Sequence, residues 1–298
     1  MKKVGIEFRK NTIRTVCVDE NEAVIRLKPR NLSADEDLIP QITAHIDNLK
    51  LEVGKVFTLG IAIPGLVNKR TNRIHYSARI PEYASIDISK QFEDALGVGV
   101  IVENDASAAA FGEYKVGAGK GKDNLFYIYL GSGVGGGLIF NGEIWSGDSG
   151  YSGEFGSFVI DSNGTRLEEM VSSQNIVRRT KARLHQDPTS SLHSIGDENI
   201  TLGDIVREAV NEDDFAQLML SRTGLFVGTA LANVINLLNV GTIVIDGLAT
   251  EAGDLILDPI RDIAKKYSFQ PSYDTVTIVR GKLGIDAAAI GAALLSER

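Results

Sequence analysis

A glycine-rich stretch, LGSGVGGGLIFNG at residues 130–142, constrains the fold of this chain more than any other segment. Its glycines at 131, 133 and 136 have the G-x-G-x-x-G spacing of a dinucleotide-binding turn. That turn requires a helix after the glycines, because the helix N-terminus holds the pyrophosphate. Here an alternating apolar run and an Asn-Gly pair follow, which predict a strand, a tight turn and another strand. A dinucleotide site, and with it a nicotinamide-dependent oxidoreductase, is therefore disfavoured.

A plain β-hairpin, with glycines only for turn geometry, is the simplest alternative. A two-residue turn needs one or two glycines, whereas five lie between positions 131 and 137. Consecutive glycines let backbone N–H groups approach a ligand and form an anion-binding concavity. Ser132 adds a hydroxyl donor. We therefore predict a phosphate-binding hairpin.

Composition narrows the class of protein. The 298 residues are 43% hydrophobic, enough for two domains with cores. The net charge is −8, so we expect no nucleic-acid partner; the densest basic run, RRTKAR at 178–183, is interpreted as a solvated helix face. A single cysteine, Cys17, excludes a disulfide within the chain and a cysteine-based zinc site.

The chain enters a strand pattern at its first residues, and no apolar run attains the length of a membrane span. We therefore expect no signal peptide, no membrane partner and a cytoplasmic protein. A hairpin followed by β-α-β elements occurs near residue 4 and again near residue 125, which predicts two related α/β lobes. Helices are predicted from an N-cap at Ser33, up to a stop near Gly97, over 165–185, from a cap at Thr201 and over 213–239.

Several motifs accompany the hairpin in a fixed order. They are GIAIPGLVN at 60–68, VENDASAAAFGE at 102–113, GDSGYSGEFGS at 147–157 and GIDAAAIGAAL at 284–294. Together with the hairpin they resemble the ROK family of sugar kinases and sugar-responsive repressors. The resemblance implies a two-lobed α/β actin-like ATPase (ribonuclease H-like) fold with a central cleft. It places residues 1–112 with the C-terminal helix 285–298 in one lobe and residues 113–284 in the other.

The resemblance also implies roles for individual residues. Asp105 corresponds to the family's catalytic base, and a carboxylate between a buried strand and a helix is held rigidly enough for that task. The alternative for Asp105 is a helix N-cap. Gly65, Asn104, Glu154 and Glu168, with Asp105, correspond to sugar-binding residues; for Glu168 a solvated helix carboxylate is the alternative.

On the nucleotide side, Gly131, Ser132 and Gly133 correspond to a loop that binds the phosphates of ATP. Gly247 corresponds to the adenosine-side turn, where Asp246 replaces an expected glycine. The first phosphate and Mg²⁺ loop of the family, Asp-x-Gly-Gly-Thr, is rewritten as EFRKN: Glu7, Arg9, Lys10 and Asn11 replace Asp, Gly, Gly and Thr.

Other departures follow from the same resemblance. Ser157 stands at the histidine of the family's zinc motif and residues 158–168 contain no cysteine, so we expect no structural zinc. Arg79 replaces a sugar-contacting asparagine. Because the chain begins at the first strand, we also expect no helix-turn-helix domain.

Two functions remain open at this stage. The first is an ATP- and Mg²⁺-dependent hexose kinase acting on a hexose or amino sugar. The second is a non-catalytic sugar-binding or sensor protein with an eroded ATP site, suggested by the EFRKN and Asp246 departures. The family further implies a homo-oligomer, commonly a dimer.

Overall fold

The structure, a computed structural model, describes residues 3–9, 11–19, 21, 23–33, 35–53, 58–68, 71, 73–77, 80–84 and 86–296. The strands are β1 Lys3–Arg9, β2 Thr12–Val18, β3 Val24–Arg26, β4 Arg30–Asn31, β5 Thr58–Ile63, β6 Leu66–Asn68, β7 Arg73–Tyr76, β8 Gly99–Asn104, β9 Leu125–Leu130, β10 Val134–Phe140, β11 Glu143–Ile144, β12 Thr242–Asp246 and β13 Thr277–Arg280. The helices are α1 Leu38–Val53, α2 Ile88–Leu96, α3 Asp105–Val116, α4 Leu167–Val171, α5 Ser173–Arg183, α6 Leu202–Val210, α7 Asp214–Leu238, α8 Asp254–Tyr267, α9 Gln270–Tyr273 and α10 Ala287–Leu295.

The chain divides into two compact units. Unit 1 comprises Met1–Asp123, Gly137–Gly153 and Lys282–Arg298, and unit 2 comprises Asn124–Gly136 and Glu154–Gly281. The chain passes from unit 2 to unit 1 within β10. The lobe boundaries that the sequence suggests, 1–112 with 285–298 against 113–284, stay a prediction.

Unit 1 is built on a sheet with the order β3-β2-β1-β5-β8, in which β4 also pairs with β2. The hairpin β1–β2 is antiparallel, whereas β1, β5 and β8 are parallel neighbours. Apolar residues of these strands and of α1 and α2 form one buried core. Because β1, β5 and β8 run in the same direction, their carboxyl ends lie at one edge of the sheet, where ligands of open α/β sheets bind.

Helix α10 packs on β1, β5 and α3 of unit 1. The backbones approach closely at glycines: a Cβ on Gly60 would lie 1.8 Å from the Ala292 carbonyl oxygen, and one on Gly5 would lie 2.0 Å from that of Ala289. The alanines and the glycine of α10 thus fit a space that larger side chains would not.

The second sheet has the order β11-β10-β9-β12-β13. Strands β9, β12 and β13 are parallel, while β10 and β11 are joined by a turn whose residues Asn141 and Gly142 have φ of +50° and +80°. Positive φ at both positions is what a tight type I′ hairpin requires. The predicted strand–turn–strand after the glycines is confirmed.

Helix α7 is long and apolar enough, by length and composition alone, to cross a membrane. The expectation that no apolar segment reaches that length is therefore wrong for α7. However, 61% of its most apolar window is buried. It packs along α8 so closely that a Cβ on Gly228 would lie 2.7 Å from the Ile260 carbonyl oxygen. Its apolar character is explained by its place in the core of unit 2.

The structure corrects two predicted helix boundaries. Ser33 is not an N-cap, since α1 begins at Leu38, and the Ser33 backbone N–H instead donates to the Gln41 side chain. The helix predicted over 165–185 is divided at Ser172, which has an extended backbone with ψ of 152°. The break places the N–H of Ser173 2.7 Å from the carbonyl oxygen of Gly131, a tertiary hydrogen bond.

Candidate active site

One edge of the unit 1 sheet gathers polar groups at the ends of its parallel strands. Glu7 pairs with Ala62 near the end of β1, and Ile63 pairs with Asn104 at the ends of β5 and β8. Residues 7, 65, 104 and 105, all proposed from the sequence, therefore lie along the same edge. Their juxtaposition is a property of the parallel topology.

Asn104 is hydrogen-bonded both to Asp105 and to the Pro64–Gly65 loop. Asn104 is the N-cap of α3: its Oδ1 accepts from the Ser107 N–H at 3.0 Å. The Asn104 amide group donates to the Gly65 carbonyl oxygen at 3.1 Å and to Asp105 Oδ1 at 3.2 Å.

Asp105 is the first residue of α3, and its Oδ1 also accepts from the Ala106 N–H at 2.9 Å. The alternative of an N-cap role for Asp105 is therefore wrong. Its carboxylate is instead fixed by two donors at the positive end of a helix.

Ser77 is a buried residue of this region that the sequence did not single out. Its hydroxyl donates to the Pro64 carbonyl oxygen and accepts from the Ile80 N–H at 3.2 Å. A Cβ on Gly65 would lie 2.8 Å from the Tyr76 carbonyl oxygen, so that position accommodates only glycine. A lone serine in a polar segment carries no signal in the sequence; only the tertiary contact shows that it supports the Pro-Gly loop.

The rewritten loop EFRKN contains a close ion pair. Arg9 Nε lies 2.7 Å from Glu7 Oε1, and Arg9 Nη2 donates to the Ile285 carbonyl oxygen at 3.3 Å. Glu7 is 4% exposed, and its other oxygen, Oε2, has no hydrogen-bond partner in the described part of the chain. Asn11 lies at the turn, where its carbonyl oxygen accepts from the Leu32 N–H. Lys10 lies outside the described residues.

Burial raises the pKa of Glu7 from 4.5 to about 7, although the Arg9 guanidinium lowers it; the charge of Asp105 adds to the rise. Between these two pH values the folded state holds more protons than the unfolded chain. The stabilisation from this group is therefore complete below pH 4.5 and is lost as the pH rises through about 7.

Replacing Glu7 by Gln should flatten the pH dependence of stability. The free energy of unfolding of the wild type should fall by up to about 3 kcal/mol between pH 5 and pH 8 because of Glu7, since each pKa unit corresponds to about 1.4 kcal/mol. Urea unfolding at four pH values, monitored by the fluorescence of Trp145 in unit 1, measures the free energy of unfolding at each pH. Exposed Glu36→Gln is the control and should keep the wild-type slope. An unchanged slope in Glu7→Gln would contradict the assigned shift.

Unit 2 positions the glycine hairpin at the carboxyl end of β9. The Gly131 N–H donates to the Gly133 carbonyl oxygen at 3.0 Å, and the Gly131 carbonyl accepts from Ser173 at the start of α5. A Cβ on Gly131 would lie 2.1 Å from a ring carbon of Tyr129. Ser132, between the two glycines, is exposed. The hairpin is thus a tight turn with the exposed Ser132 between its first two glycines.

Glu168 on α4 contacts this hairpin directly. Its Oε2 accepts from the Val134 N–H at 2.8 Å and would lie 3.1 Å from a Cβ on Gly133. Glu168 is exposed, as the alternative of a solvated helix carboxylate predicts, but it is also hydrogen-bonded to the hairpin backbone. Glu154 is exposed at the start of the turn Phe155–Ser157, whose Gly156 packs on Val134.

Replacing Glu168 by Ala should loosen the hairpin. The Val134 N–H would lose its acceptor, which costs about 1–2 kcal/mol and accelerates its hydrogen exchange roughly tenfold. Glu168→Gln keeps an acceptor oxygen and should restore most of the protection. Hydrogen exchange of the peptide spanning 131–137 distinguishes the two variants. Equal protection in Glu168→Ala and the wild type would contradict the role of this bond.

The turn after β12 is held by the residue that replaces an expected glycine. Asp246 is buried; its carboxylate accepts from the Gly247 N–H at 2.7 Å and from the Tyr127 hydroxyl at 3.2 Å. Gly247 has φ of +117°, and a Cβ there would lie 2.2 Å from the Leu130 carbonyl oxygen. Asp246 therefore stabilises the turn, and Gly247 brings it against the end of β9.

The remaining site predictions concern residues 79 and 157. Arg79 lies outside the described residues. Within the described ranges, no group of three or more His, Cys, Asp or Glu side chains is arranged to hold a metal ion.

In unit 1, Glu7 and Asp105 lie at the carboxyl edge of three parallel strands, and in unit 2 a glycine hairpin follows β9. This arrangement belongs to the actin-like ATPase fold. The predicted α/β fold class is confirmed by the solved structure of a ROK family glucokinase from Streptomyces griseus in complex with glucose and AMPPNP. That structure matches with a TM-score of 0.87 at 26% identity and covers 100% of this chain and 99% of its own.

The chain belongs to the ROK family, whose sequence model matches residues 3–298. It is 32% identical over 251 residues to a glucokinase of Halalkalibacterium halodurans, a match that covers 80% of this chain and 76% of that protein. It is also 25% identical over 296 residues to the xylose repressor of Bacillus subtilis, covering 97% of this chain and 75% of the repressor. The relatives thus include both sugar kinases and a sugar-responsive repressor.

Proposed function

We propose that this protein is an ATP-dependent sugar kinase that transfers the γ-phosphoryl group to a hydroxyl of a hexose or amino sugar. The observation that carries the proposal is the Asp105 carboxylate, which the Asn104 amide and the Ala106 N–H fix at the carboxyl edge of the unit 1 sheet. The curated glucokinase relative supports the same reaction class.

In this proposal Asp105 accepts the proton of the attacking sugar hydroxyl. Phosphoryl transfer depends on positioning and on charge stabilisation more than on covalent chemistry, so a fixed carboxylate is the group it needs. Asn104 and Gly65, which are hydrogen-bonded to each other, shape the sugar side of unit 1. Glu154 and Glu168 are the proposed sugar-hydroxyl ligands of unit 2.

The hairpin Gly131–Gly133 is the proposed phosphate cradle, and Gly247 lies on the proposed adenosine side. The chain also offers a group that fits Mg²⁺, which prefers carboxylate oxygens. Glu7 Oε2 is a buried carboxylate oxygen without a partner in the described part of the chain, so Glu7 is the residue that would hold the ion. Bound Mg²⁺ supplies charge neutralisation at the phosphates.

A sugar sensor without catalysis is the second candidate. The Arg9–Glu7 ion pair favours it, because the Arg9 guanidinium already neutralises the carboxylate that would hold Mg²⁺. The xylose repressor relative favours it as well. The two candidates differ in whether nucleotide binds.

Calorimetry with AMPPNP and Mg²⁺, followed by a panel of hexoses and amino sugars, separates the candidates. The kinase proposal predicts binding of both ligands and turnover with ATP in a coupled assay. Sugar binding without nucleotide binding would overturn the kinase in favour of the sensor. Binding of neither ligand would overturn both.

A further inference from the structure

Four arginines gather on the surface of unit 2, away from any carboxylate partner. Arg178, Arg179 and Arg183 lie on α5, and Arg222 lies on α7. Arg183 follows Arg179 by one turn of α5, and Arg179 is hydrogen-bonded to Thr223, the residue after Arg222 on α7. Such a concentration of positive charge is unexpected in a chain with a net charge of −8. We call these four residues the arginine cluster.

Arg179 is the best-fixed member of the cluster. Its Nε donates to the Met170 carbonyl oxygen at 2.9 Å, and its Nη2 donates to the Thr223 hydroxyl at 2.7 Å. The guanidinium lies over the Phe226 ring, with its carbon 5.2 Å from the ring centroid. All three partners are uncharged. The side chain is therefore held in one orientation without neutralisation of its charge.

Five arginines elsewhere in the protein are neutralised by carboxylates. Arg9, Arg14, Arg26, Arg207 and Arg261 each form an ion pair with Asp or Glu. In contrast, within the described part of the chain no such pair is formed by any member of the arginine cluster. Burial, together with the positive charges of Arg178, Arg183 and Arg222, lowers the pKa of Arg179 to about 10.

This arrangement is electrostatically unfavourable without a counter-ion. A half-buried guanidinium beside three like charges loses hydration and gains repulsion. An anion between the side chains would reverse both effects. Phosphate groups suit arginine best, because the planar guanidinium donates two parallel hydrogen bonds to phosphate oxygens.

We propose that the arginine cluster is a binding site for a small phosphate-bearing molecule, separate from the glycine hairpin. Arg179 provides the preorganised guanidinium, and Arg178, Arg183 and Arg222 surround it with exposed or half-buried positive charge. A small ligand fits better than a nucleic acid, because the cluster is an isolated basic feature on an acidic protein.

The site is connected to the hairpin through α4. Arg179 holds the carbonyl oxygen of Met170, and Arg178 donates to Asn175 Oδ1 at 3.0 Å. Asn175 in turn donates to the backbone carbonyl oxygen of Glu168 at 3.1 Å, the residue whose carboxylate binds the hairpin. The cluster therefore touches the helix that supports the proposed phosphate cradle.

Calorimetric titration with pyrophosphate, without Mg²⁺ and at low ionic strength, tests the proposal. The wild type should bind one pyrophosphate, and Arg179→Ala should weaken binding at least tenfold. The double variant Arg183→Ala/Arg222→Ala keeps Arg179 and should weaken binding by a similar factor. It therefore tests the proposal even if Arg179→Ala fails to fold. The control variant Lys265→Ala/Lys266→Ala on α8 removes the same number of positive charges and should bind like the wild type.

Wild-type affinity in both arginine variants would overturn the proposal, because the pyrophosphate would then be bound elsewhere, for example at the hairpin. Failure of pyrophosphate to bind would also overturn the proposal. If heparin bound in that case, the cluster would be a surface for polyanions instead. None of these outcomes depends on whether the protein binds ATP or turns it over.

Discussion

Asp105→Asn is expected to lower kcat for sugar phosphorylation by roughly 10²- to 10⁴-fold, the usual contribution of a general base. Asparagine keeps the oxygen that accepts from the Ala106 N–H, so the position of the side chain should survive. It cannot take up the proton of the sugar hydroxyl. Sugar affinity, measured by calorimetry, should therefore change little while kcat falls, which identifies a role in the chemical step.

Asp94→Asn on α2 is the matched control for this substitution. Asp94 is exposed and lies in the same unit, so the same chemical change there should leave both kcat and sugar affinity unaltered. If Asp105→Asn retained wild-type turnover, Asp105 would not be the base, and the proposed mechanism would be wrong.

Gly291→Ala is expected to destabilise the protein by about 3 kcal/mol, at the upper end of the usual cost of overpacking. A Cβ on Gly291 of α10 would lie 1.7 Å from the Ala108 carbonyl oxygen of α3, inside the backbone of the facing helix. No rotamer relieves that overlap, so α10 or α3 must shift. The approach is reciprocal, because a Cβ on Gly112 would lie 2.7 Å from the Ala287 carbonyl oxygen.

Gly203→Ala on α6 is the control, since its Cβ would meet nothing closer than the Thr201 hydroxyl oxygen at 3.6 Å. It should leave stability within about 1 kcal/mol of the wild type, with helix propensity favouring alanine. Urea unfolding followed by Trp145 fluorescence tests Gly291→Ala in the unit that contains both residues. Far-ultraviolet circular dichroism serves for Gly203→Ala in unit 2. Equal stability of Gly291→Ala and the wild type would contradict the close packing of α10.

Local patterns in the sequence were sufficient for most elements of secondary structure. The Asn-Gly pair and the alternating residues around it predicted the β10–β11 hairpin, and Gly97 marked the end of α2, where its φ is +66°. Thr201 was predicted as the cap of a helix, and it forms a capping box with Asp204. These features depend on hydrogen bonds between residues a few positions apart, so sequence neighbours alone specify them.

The errors arise where a distant partner prevails over a local preference. Residues 165–185 are helical in pattern, but Ser173 donates to Gly131 and breaks the helix at Ser172. Asp105 and Asn104 are both good N-caps by residue type. The choice of Asn104 leaves Asp105 to be held at the sheet edge beside Gly65, which no local rule predicts.

The sequence by itself determined the glycine hairpin, the order of the motifs and hence the family, because strand alternation, turn chemistry and motif order are written along the chain. The tertiary structure alone decided which charges meet. Arg9 is paired with Glu7, Glu168 is bonded to the backbone of Val134, and Arg179 rests on Phe226 without a carboxylate. The physical reason is that the packing of strands and helices brings residues together that are far apart in the sequence. Burial and this packing decide which partner a charged side chain meets, and no local pattern in the sequence specifies it.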